Sequence, residues 1–266
     1  MPKRLYTAAL GKFAKSRWSA KFVPWYARHY AIDTSELAKP ILSYETLGQF
    51  FTRQLQATAR PIGSDLVSPV DGTVSTLGDI DGVQLLQVKG HPYTLDELLG
   101  DGQAAQAFVG GKYFTVYLSP SDYHRIHAPL ACRALRCCHI PGTLYPVNAH
   151  GVQHIPRLFV RNERVITYFH SEAGPFALVK VGAAGVGSVI TPYVPARTWR
   201  DRHRGQVLDV ACEQSFQRGE EIGFFALGST VVVLFPSSVD VTFMVSTGAR
   251  VQMGQTIGQM REDTGL

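Results

Sequence analysis

The first 32 residues of the sequence contain no aspartate or glutamate, although they contain seven lysines and arginines. They also lack the uninterrupted apolar core of a cleaved secretory signal. Elsewhere, no apolar run approaches the roughly 20 residues that span a bilayer as a helix. We therefore expect a protein that faces the cytosol, either soluble or attached to a membrane from one side.

Cysteine is scarce, and its spacing does not suit a metal site. The four cysteines, Cys132, Cys137, Cys138 and Cys212, include no Cys-x-x-Cys pair. The adjacent Cys137 and Cys138 are a poor chelating pair, because neighbouring side chains seldom bind one ion well. The sequence therefore predicts reduced thiols and no bound metal.

The overall composition indicates a folded, β-rich protein with an anionic partner. The chain has 266 residues, of which 45% are hydrophobic, which is enough for one large domain or two small ones. Its 25 glycines and 15 prolines are spread along the chain and predict many turns. The net charge of +5 favours nucleic acid, a membrane surface or an acidic substrate as the partner.

The first 55 residues show helical spacing of apolar residues, with basic and aromatic side chains among them. Ser43 is a candidate N-cap for the last helical segment, in which Phe50, Phe51 and Leu55 share one face. The earlier basic and aromatic segments either pack on the core or lie in a membrane interface. Their lack of acids favours the membrane, so we predict a helical membrane-associating arm over residues 1–55.

From Leu66 onward the pattern changes to short runs of Val, Leu, Phe and Tyr, broken by Gly, Pro and Asp, which is typical of strands. Gly-x-x-Ile-Gly occurs twice, in "RGEEIGFF" and "MGQTIGQM", as in carrier-type β-sandwich domains. A carrier-type binding module is therefore one alternative. We predict an α+β fold, with N-terminal amphipathic helices followed by a β-rich body over residues 56–266 that contains sandwich or barrel elements.

Residues in the body supply the parts of a hydroxyl-activating triad. Ser229 follows Gly228 between two apolar runs, where a simple β-bulge is the alternative. His124 and His127 lie in "YHRIH", and an imidazole is the natural general base for a hydroxyl. Asp71 lies in a Pro-x-Asp-Gly turn, and it either serves only the turn or orients a histidine. A serine hydrolase that uses Asp71, His127 and Ser229 is thus a second alternative, although the Gly-x-Ser-x-Gly elbow is missing.

Six segments, three of which contain these candidate residues, occur along the chain in this order: "SPVDG", "QVKGHPYTLDELLG", "YLSPSDYHRIHAP", "LFVRNERV", "VGAAGVGSVI" and "LGSTVVVLFP". In combination they resemble the phosphatidylserine decarboxylase family, a pyruvoyl-dependent proenzyme family of bacterial and organellar membranes. The resemblance extends from about residue 44 to the C-terminus. Its Leu-Gly-Ser-Thr and Tyr-His-Arg-x-His elements are highly specific when they occur together.

The resemblance implies that the precursor cuts its own backbone between Gly228 and Ser229. Ser229 Oγ would attack the Gly228 carbonyl, with His127 as the base and Asp71 orienting His127. The products would be a β chain of residues 1–228 and an α chain of residues 229–266. The α chain would begin with a covalent pyruvoyl group formed from Ser229, and the enzyme would need neither a metal nor pyridoxal phosphate.

The resemblance also implies a reaction, the conversion of phosphatidylserine to phosphatidylethanolamine and CO₂ through a Schiff base with the pyruvoyl group. His124 would then donate a proton during turnover or contact the substrate phosphate. Lys89, Tyr145 and Asn148 are candidate substrate-binding residues in the pocket wall, with ordinary turns as the alternative.

The implied partners are phosphatidylserine and the anionic surface of the membrane, and the two chains of one precursor would associate into a homodimer of αβ units. The implied location is the cytoplasmic face of the inner membrane, as a peripheral protein. Nucleic-acid binding by the basic arm is the weakest alternative, because the body offers no stacking or groove-reading motif. We therefore expect no nucleic-acid partner.

Overall fold

A computed structural model describes residues 11–87, 91–183, 189–194, 206–226 and 229–261. Residues 11–15 are helical, and 3₁₀ helices follow at Arg17–Phe22 and Ile41–Ser43. The α-helices are α1 (Val23–His29), α2 (Leu47–Phe51), α3 (Leu95–Leu99), α4 (Gly102–Gln106), α5 (Ala149–His154) and α6 (Leu158–Arg161).

Sixteen strands lie in the described part of the chain. The first eight are β1 (Leu66–Val67), β2 (Gly72–Asp79), β3 (Gln84–Gln87), β4 (His91–Thr94), β5 (Lys112–Leu118), β6 (Arg125–His127), β7 (Cys132–Ile140) and β8 (Arg164–Ser171). The others are β9 (Gly174–Gly182), β10 (Val189–Ile190), β11 (Leu208–Phe216), β12 (Glu221–Phe225), β13 (Ser229–Phe235), β14 (Val241–Phe243), β15 (Arg250–Val251) and β16 (Thr256–Met260).

Eight of these strands form one antiparallel sheet in the order β11-β7-β8-β9-β13-β5-β2-β15. Two three-stranded sheets, β1-β16-β14 and β10-β12-β6, and the hairpin β3-β4 complete the described strands. The predicted α+β class is confirmed. The large sheet ends in the unpaired edges of β11 and β15, so the described strands form open sheets and the barrel alternative does not apply.

β13 lies inside the large sheet because five consecutive apolar residues, three of them β-branched, follow its Ser229 and Thr230, and all seven residues of the strand are buried. Successive side chains of a strand point to opposite faces. On one face Val231 and Val233 pack with residues of the three-stranded sheets, such as Phe225. On the other face Val232 and Leu234 pack with the short helices α3 and α6. The body therefore has three layers, with the head of β13 buried inside them.

The arm has a small core of its own, formed mainly by Val23, Tyr26, Phe50 and Phe51. The Tyr26 hydroxyl donates to the carbonyl of Pro120 at 2.9 Å and fastens this core to the loop after β5. No helix among the described residues is long and apolar enough to cross a bilayer. The domain boundary at residue 55 stays a prediction.

The predicted cap of the last arm helix is wrong. Ser43 ends a 3₁₀ turn, and its hydroxyl donates to Pro40 O at 2.7 Å. A cap at Ser43 would start α2 at residue 44, but the helix starts three residues later, at Leu47. Its N-cap is Thr46, whose hydroxyl accepts the Gln49 amide at 3.0 Å. The helix starts after Thr46 because the residues that follow include Phe50 and Phe51, which pack in the arm core.

Candidate active site

Ser229 is the first residue of β13 and is completely buried. It lies opposite Leu118 at the end of β5 and opposite Gly182 at the end of β9. Paired residues share a face, so the Ser229 side chain points into the layer that holds the three-stranded sheets. Its Oγ has no hydrogen-bond partner among the described residues. A buried hydroxyl without a partner is energetically costly, which is typical of a reactive group.

The predicted cleavage bond follows the end of β12 and precedes β13, so it lies between two strands. Its other residue, Gly228, lies outside the described residues. β12 pairs with β6, where Glu221 lies opposite His127, and the Phe225 amide donates to His124 O at 2.9 Å. The "YHRIH" segment therefore runs alongside the strand that leads to the predicted cleavage bond.

His124 is fully buried, and its ring lies 3.9 Å from the ring of Phe51. Its Nδ1 is 2.8 Å from the carbonyl oxygen of Asp122, which can only accept, so Nδ1 carries the proton. Nε2 is then unprotonated and has no partner among the described residues. Burial lowers the pKa of His124 to about 3, so the imidazole is neutral with a free lone pair.

His127 is also buried, but both of its ring nitrogens are engaged. Nδ1 donates to Gly219 O at 2.8 Å, and Nε2 accepts from the Tyr123 hydroxyl at 3.1 Å. Burial lowers its pKa, and the hydrogen bond to Gly219 O and the nearby Glu221 oppose that effect. His127 is therefore a neutral base whose lone pair is covered by a tyrosine hydroxyl.

Asp71 is buried in an ion pair with Arg60. Arg60 donates from Nε at 3.0 Å and from Nη2 at 2.6 Å, and the Met253 amide donates to the same carboxylate at 2.8 Å. The His127 amide donates to Pro69 O at 2.9 Å, which brings His127 beside the Asp71 turn. The hydrogen bonds that the structure gives to Asp71 and His127 go to other residues, however, so their pairing in a triad stays a prediction.

The three candidate pocket residues fall in other surroundings. Lys89 lies outside the described residues. Asn148 is the N-cap of α5, and its side chain accepts the Gly151 amide at 2.9 Å. The Tyr145 hydroxyl accepts from Arg161 Nη2 at 2.9 Å. Both described residues thus have local structural contacts, and their contact with a substrate stays a prediction.

Sequence reasoning missed the buried Asn162, which connects this region to Ser229. Its Nδ2 donates to Tyr145 O and to Gly182 O, both at 2.9 Å, and its Oδ1 accepts the Tyr145 amide. Since Gly182 lies opposite Ser229, Asn162 ties the Tyr145 loop to the strand beside the reactive serine. A polar residue inside the motif "LFVRNERV" was the available signal.

Lys180 was also missed, although it lies on the Ser229 face of β9, opposite Val231. It is fully buried, and its Nζ donates to Thr167 Oγ1 at 2.7 Å and to the Tyr193 hydroxyl at 3.0 Å. A lysine in an otherwise apolar strand, "FALVKVG", was the signal that could have marked it. Among the described residues, no group of three or more His, Cys, Asp or Glu side chains is placed to hold a metal ion.

Fold and site together define an α+β protein whose reactive candidates are a buried serine at the head of a central strand and neutral imidazoles on the segment that pairs with the preceding strand. The model of the family described as phosphatidylserine decarboxylase matches residues 47–259 of this chain. The chain belongs to that family, and the resemblance inferred from its motifs is confirmed.

Curated relatives give the same assignment over nearly the whole chain. The phosphatidylserine decarboxylase proenzyme of Brevibacillus brevis is 43% identical over 263 residues, covering 97% of this chain and 94% of the relative. That of Nitrosospira multiformis is 41% identical over 269 residues, covering 97% and 93%. That of Idiomarina loihiensis is 40% identical over 280 residues, covering 98% and 94%.

Proposed function

We propose that this chain is a precursor that cleaves itself between Gly228 and Ser229 and then decarboxylates phosphatidylserine to phosphatidylethanolamine. The observation that carries the proposal is the position of Ser229, buried at the head of β13 with its Oγ free of hydrogen bonds among the described residues. Membership of the phosphatidylserine decarboxylase family supplies the reaction and the precursor state.

In the first step Ser229 Oγ attacks the carbonyl carbon of Gly228, and the peptide amide becomes an ester. Glycine at position 228 lowers the steric barrier because it has no Cβ. A neutral base must take the hydroxyl proton, and two neutral imidazoles lie beside the strand that leads to this bond. We assign this role to His127, which requires the Tyr123 hydroxyl to release Nε2.

Loss of the Ser229 α-proton then breaks the ester Cβ–O bond, which leaves a carboxylate on Gly228. Hydrolysis of the resulting dehydroalanine consumes one water and releases one ammonia, so a pyruvoyl group heads the α chain. Ser229 fits as the source of this group because its side chain is already enclosed by the layers of the body. The ketone supplies an electron sink for the electron pair that remains when CO₂ departs.

The chain's own residues support the second reaction through burial and proton transfer. The apolar residues on the Ser229 face of β13, among them Leu118, Phe225 and Val231, exclude water, which disfavours a solvated carboxylate and favours loss of CO₂. His124 Nε2 has a free lone pair at neutral pH, and we assign it the proton that Cα of the substrate must receive. For that role it has to pick up a proton within the complex, where a neighbouring acid can raise its pKa.

The arm supports access to a lipid substrate. Trp18 is 73% exposed, Trp25 52% and Phe22 48%, on a segment that carries cations and no acids. Lys21 lies over the Trp18 ring at 4.9 Å. Aromatic side chains next to cations are suited to an interface of anionic lipids. We propose that this surface docks the protein on the membrane as a peripheral protein.

Vesicles that contain phosphatidylserine labelled at the serine carboxyl test the proposal. The purified chain should release labelled CO₂ and form phosphatidylethanolamine, whereas the Ser229→Ala variant should do neither. Ser215→Ala, which removes an exposed serine on β11, is the matched control and should keep full activity. Release of serine or fatty acid instead of CO₂ would point to the hydrolase alternative and contradict the proposal.

A further inference from the structure

A cleft of about 260 Å³ opens between the arm and the body, near β6. The arm contributes Lys39, Tyr44 and Arg53, and the body contributes Arg125. The cleft lining contains three cations and no carboxylate. Neither the family assignment nor the site around Ser229 gives these four residues a role.

Arg53 is a buried cation without a carboxylate partner. Only 3% of it is exposed, and its Nη2 donates to the carbonyls of Ser121 at 2.7 Å and Asp122 at 2.9 Å. Its Nε and Nη1 have no acceptor among the described residues, and it forms no ion pair with them. Burial lowers its pKa, and the charges of Asp71 and Asp122, which form no ion pair with it, oppose that effect only in part.

Tyr44 presents a second unsatisfied donor in the same cleft. The residue is 4% exposed, and its hydroxyl has no partner among the described residues. Arg53 and Arg125 are both close enough to oppose the effect of burial on its pKa, so the hydroxyl and the two guanidinium groups lie together. Lys39 Nζ lies 4.4 Å from the centre of the Tyr44 ring.

The charge of the cleft is only partly neutralised by the protein. Arg125 Nη1 contacts both carboxylate oxygens of Glu221 at 2.8 Å, so its charge is matched. Lys39 and Arg53 form no such pair among the described residues. A buried guanidinium edge and a phenol hydroxyl that both lack acceptors among the described residues suit a ligand with several negatively charged oxygens.

We propose that this cleft binds a phosphate-type oxyanion through Arg53, Tyr44 and Lys39, and that this oxyanion is the phosphodiester of the lipid headgroup. This identification of the ligand rests on the proposed function. The placement fits because Arg53 Nη2 and His124 Nδ1 both donate to Asp122 O, at 2.9 and 2.8 Å. A phosphate held by Arg53 would therefore lie beside the imidazole assigned to proton transfer.

The test uses the full-length Ser229→Ala chain, which can bind but cannot process or turn over. Glycerophosphoserine and inorganic phosphate are titrated separately, and binding is followed by calorimetry and by the ³¹P chemical shift. Tyr44→Phe in this background should weaken glycerophosphoserine binding about tenfold, the effect of one lost hydrogen bond to a charged group. The melting temperature should not fall, because Phe keeps the ring and removes an unsatisfied hydroxyl.

Tyr93→Phe is the matched control, because Tyr93 is also buried with a hydroxyl that lacks a partner among the described residues but lies in the core beside α3. It should leave binding unchanged. Lys39→Gln should weaken binding as well, whereas Arg133→Gln, which removes an exposed cation on β7, should not. These results together would support the proposal.

Equal affinity of the parent, Tyr44→Phe and Lys39→Gln chains for glycerophosphoserine would overturn it. Binding of inorganic phosphate without binding of glycerophosphoserine would overturn the assignment to a headgroup diester. Because the assay needs neither cleavage nor decarboxylation, the two proposals can fail separately. If the Ser229→Ala chain binds the diester while the unsubstituted chain forms no CO₂ from phosphatidylserine, the proposed function is refuted and this cleft assignment stands.

Discussion

Ser229 and His124 are both fully buried, and each keeps one polar atom without a partner among the described residues. Leaving such an atom unpaired costs about 1–3 kcal/mol of folding free energy. By contrast, the nearby Asp71 is held by two donor groups, Arg60 and the Met253 amide. Under the proposed function, these unpaired atoms of Ser229 and His124 are the ones that would take part in chemistry, whereas Asp71 is already held by its donors.

The neutral state of His124 predicts a pH dependence of stability. The unfolded chain binds a proton at this histidine below pH 6.5, while the folded chain does so only near pH 3. The free energy of unfolding is therefore unaffected by this group above pH 6.5, and it decreases as the pH drops from 6.5 towards 3. Between pH 6.5 and about pH 4.5 the loss should be about 2 kcal/mol.

The measurement is urea unfolding at both pH values for the wild type and for His124→Phe. The variant keeps a ring against Phe51 and should lose about 2 kcal/mol less on acidification, because no buried imidazole resists the proton. His170→Phe, which replaces an exposed histidine, should behave as the wild type. The prediction fails if His124→Phe and wild type lose equal stability.

The ion pair of Arg60 predicts a large stability effect. Arg60 is buried and contacts both Asp71 and Glu36, so Arg60→Met leaves a buried carboxylate at Asp71 without its cation. We expect a loss of about 3 kcal/mol in the free energy of unfolding.

Arg136→Met is the matched control. Arg136 also contacts two carboxylates, Asp101 and Asp209, but its side chain is 37% exposed, and the expected loss is at most about 1 kcal/mol. Denaturant unfolding of both variants gives the comparison. Equal losses in the two variants would show that the Arg60 pair is no more important than a surface pair.

At the scale of elements, β9 and β13 determine what surrounds Ser229. Their register puts Gly182 opposite Ser229 and Lys180 opposite Val231. Gly182 allows a close approach of the Glu163 backbone, because a Cβ at position 182 would lie 3.2 Å from Glu163 O. Lys180, two residues before Gly182 in β9, lies on the same face, and its Nζ donates to the hydroxyl of Tyr193, which follows β10. The two strands thus connect the reactive serine to the β10-β12-β6 sheet.

Lys180 predicts a second pH dependence of folding stability, in the alkaline range. Burial lowers its pKa from 10.5 to about 8. Between these values only the unfolded chain keeps the proton, so stability should rise as the pH rises from 8 to 10.5 and be flat below 8. At about 1.4 kcal/mol per pH unit, the difference of about 2.5 corresponds to roughly 3 kcal/mol.

Lys180→Met removes the buried amine but leaves the hydroxyls of Thr167 and Tyr193 bonded to each other at 2.7 Å. We expect the variant to be more stable than wild type at neutral pH, by up to roughly 3 kcal/mol, and to lose the rise above pH 8. Thermal unfolding across that range measures both effects. A variant that is less stable at neutral pH, with the rise intact, would contradict this account.

Local patterns predicted these elements better than they predicted their contacts. The run "STVVVLFP" predicted β13, and helical spacing predicted the arm, because both depend on residues close in sequence. The partner of Asp71 could not be predicted, because its pairing with Arg60, 11 residues away in sequence, follows no local periodicity. The N-cap role of Asn148 could have been predicted from an asparagine before a helical segment.

At the scale of the whole molecule, one surface of the arm is apolar and basic, while its other surface joins the body. Phe51 lies against His124, and Arg53 donates to the carbonyls of the loop after β5. The arm therefore contacts the candidate active-site residue His124 as well as carrying the proposed membrane surface. Deleting it would disturb both, so point substitutions on its exposed face are the better test.

A triple variant, Trp18→Ser, Phe22→Ser and Trp25→Ser, should bind vesicles containing anionic lipid at least about tenfold more weakly. Sedimentation with phosphatidylglycerol vesicles measures the binding, and self-cleavage should be unchanged because these side chains are exposed. Val207→Ser with Met244→Ser removes exposed apolar side chains of the body and serves as the control. Unchanged sedimentation of the triple variant would contradict the role of the arm.

The central claim is that Ser229 breaks the backbone next to it and becomes the cofactor. Intact mass measurement of the purified protein tests this claim most directly. The account predicts two chains, one of residues 1–228 and one that starts at position 229. The second chain should be lighter than an unmodified serine start by one ammonia and should lack a free terminal amine. A single full-length chain in a preparation that decarboxylates phosphatidylserine, or a second chain with an intact serine amine, would contradict it.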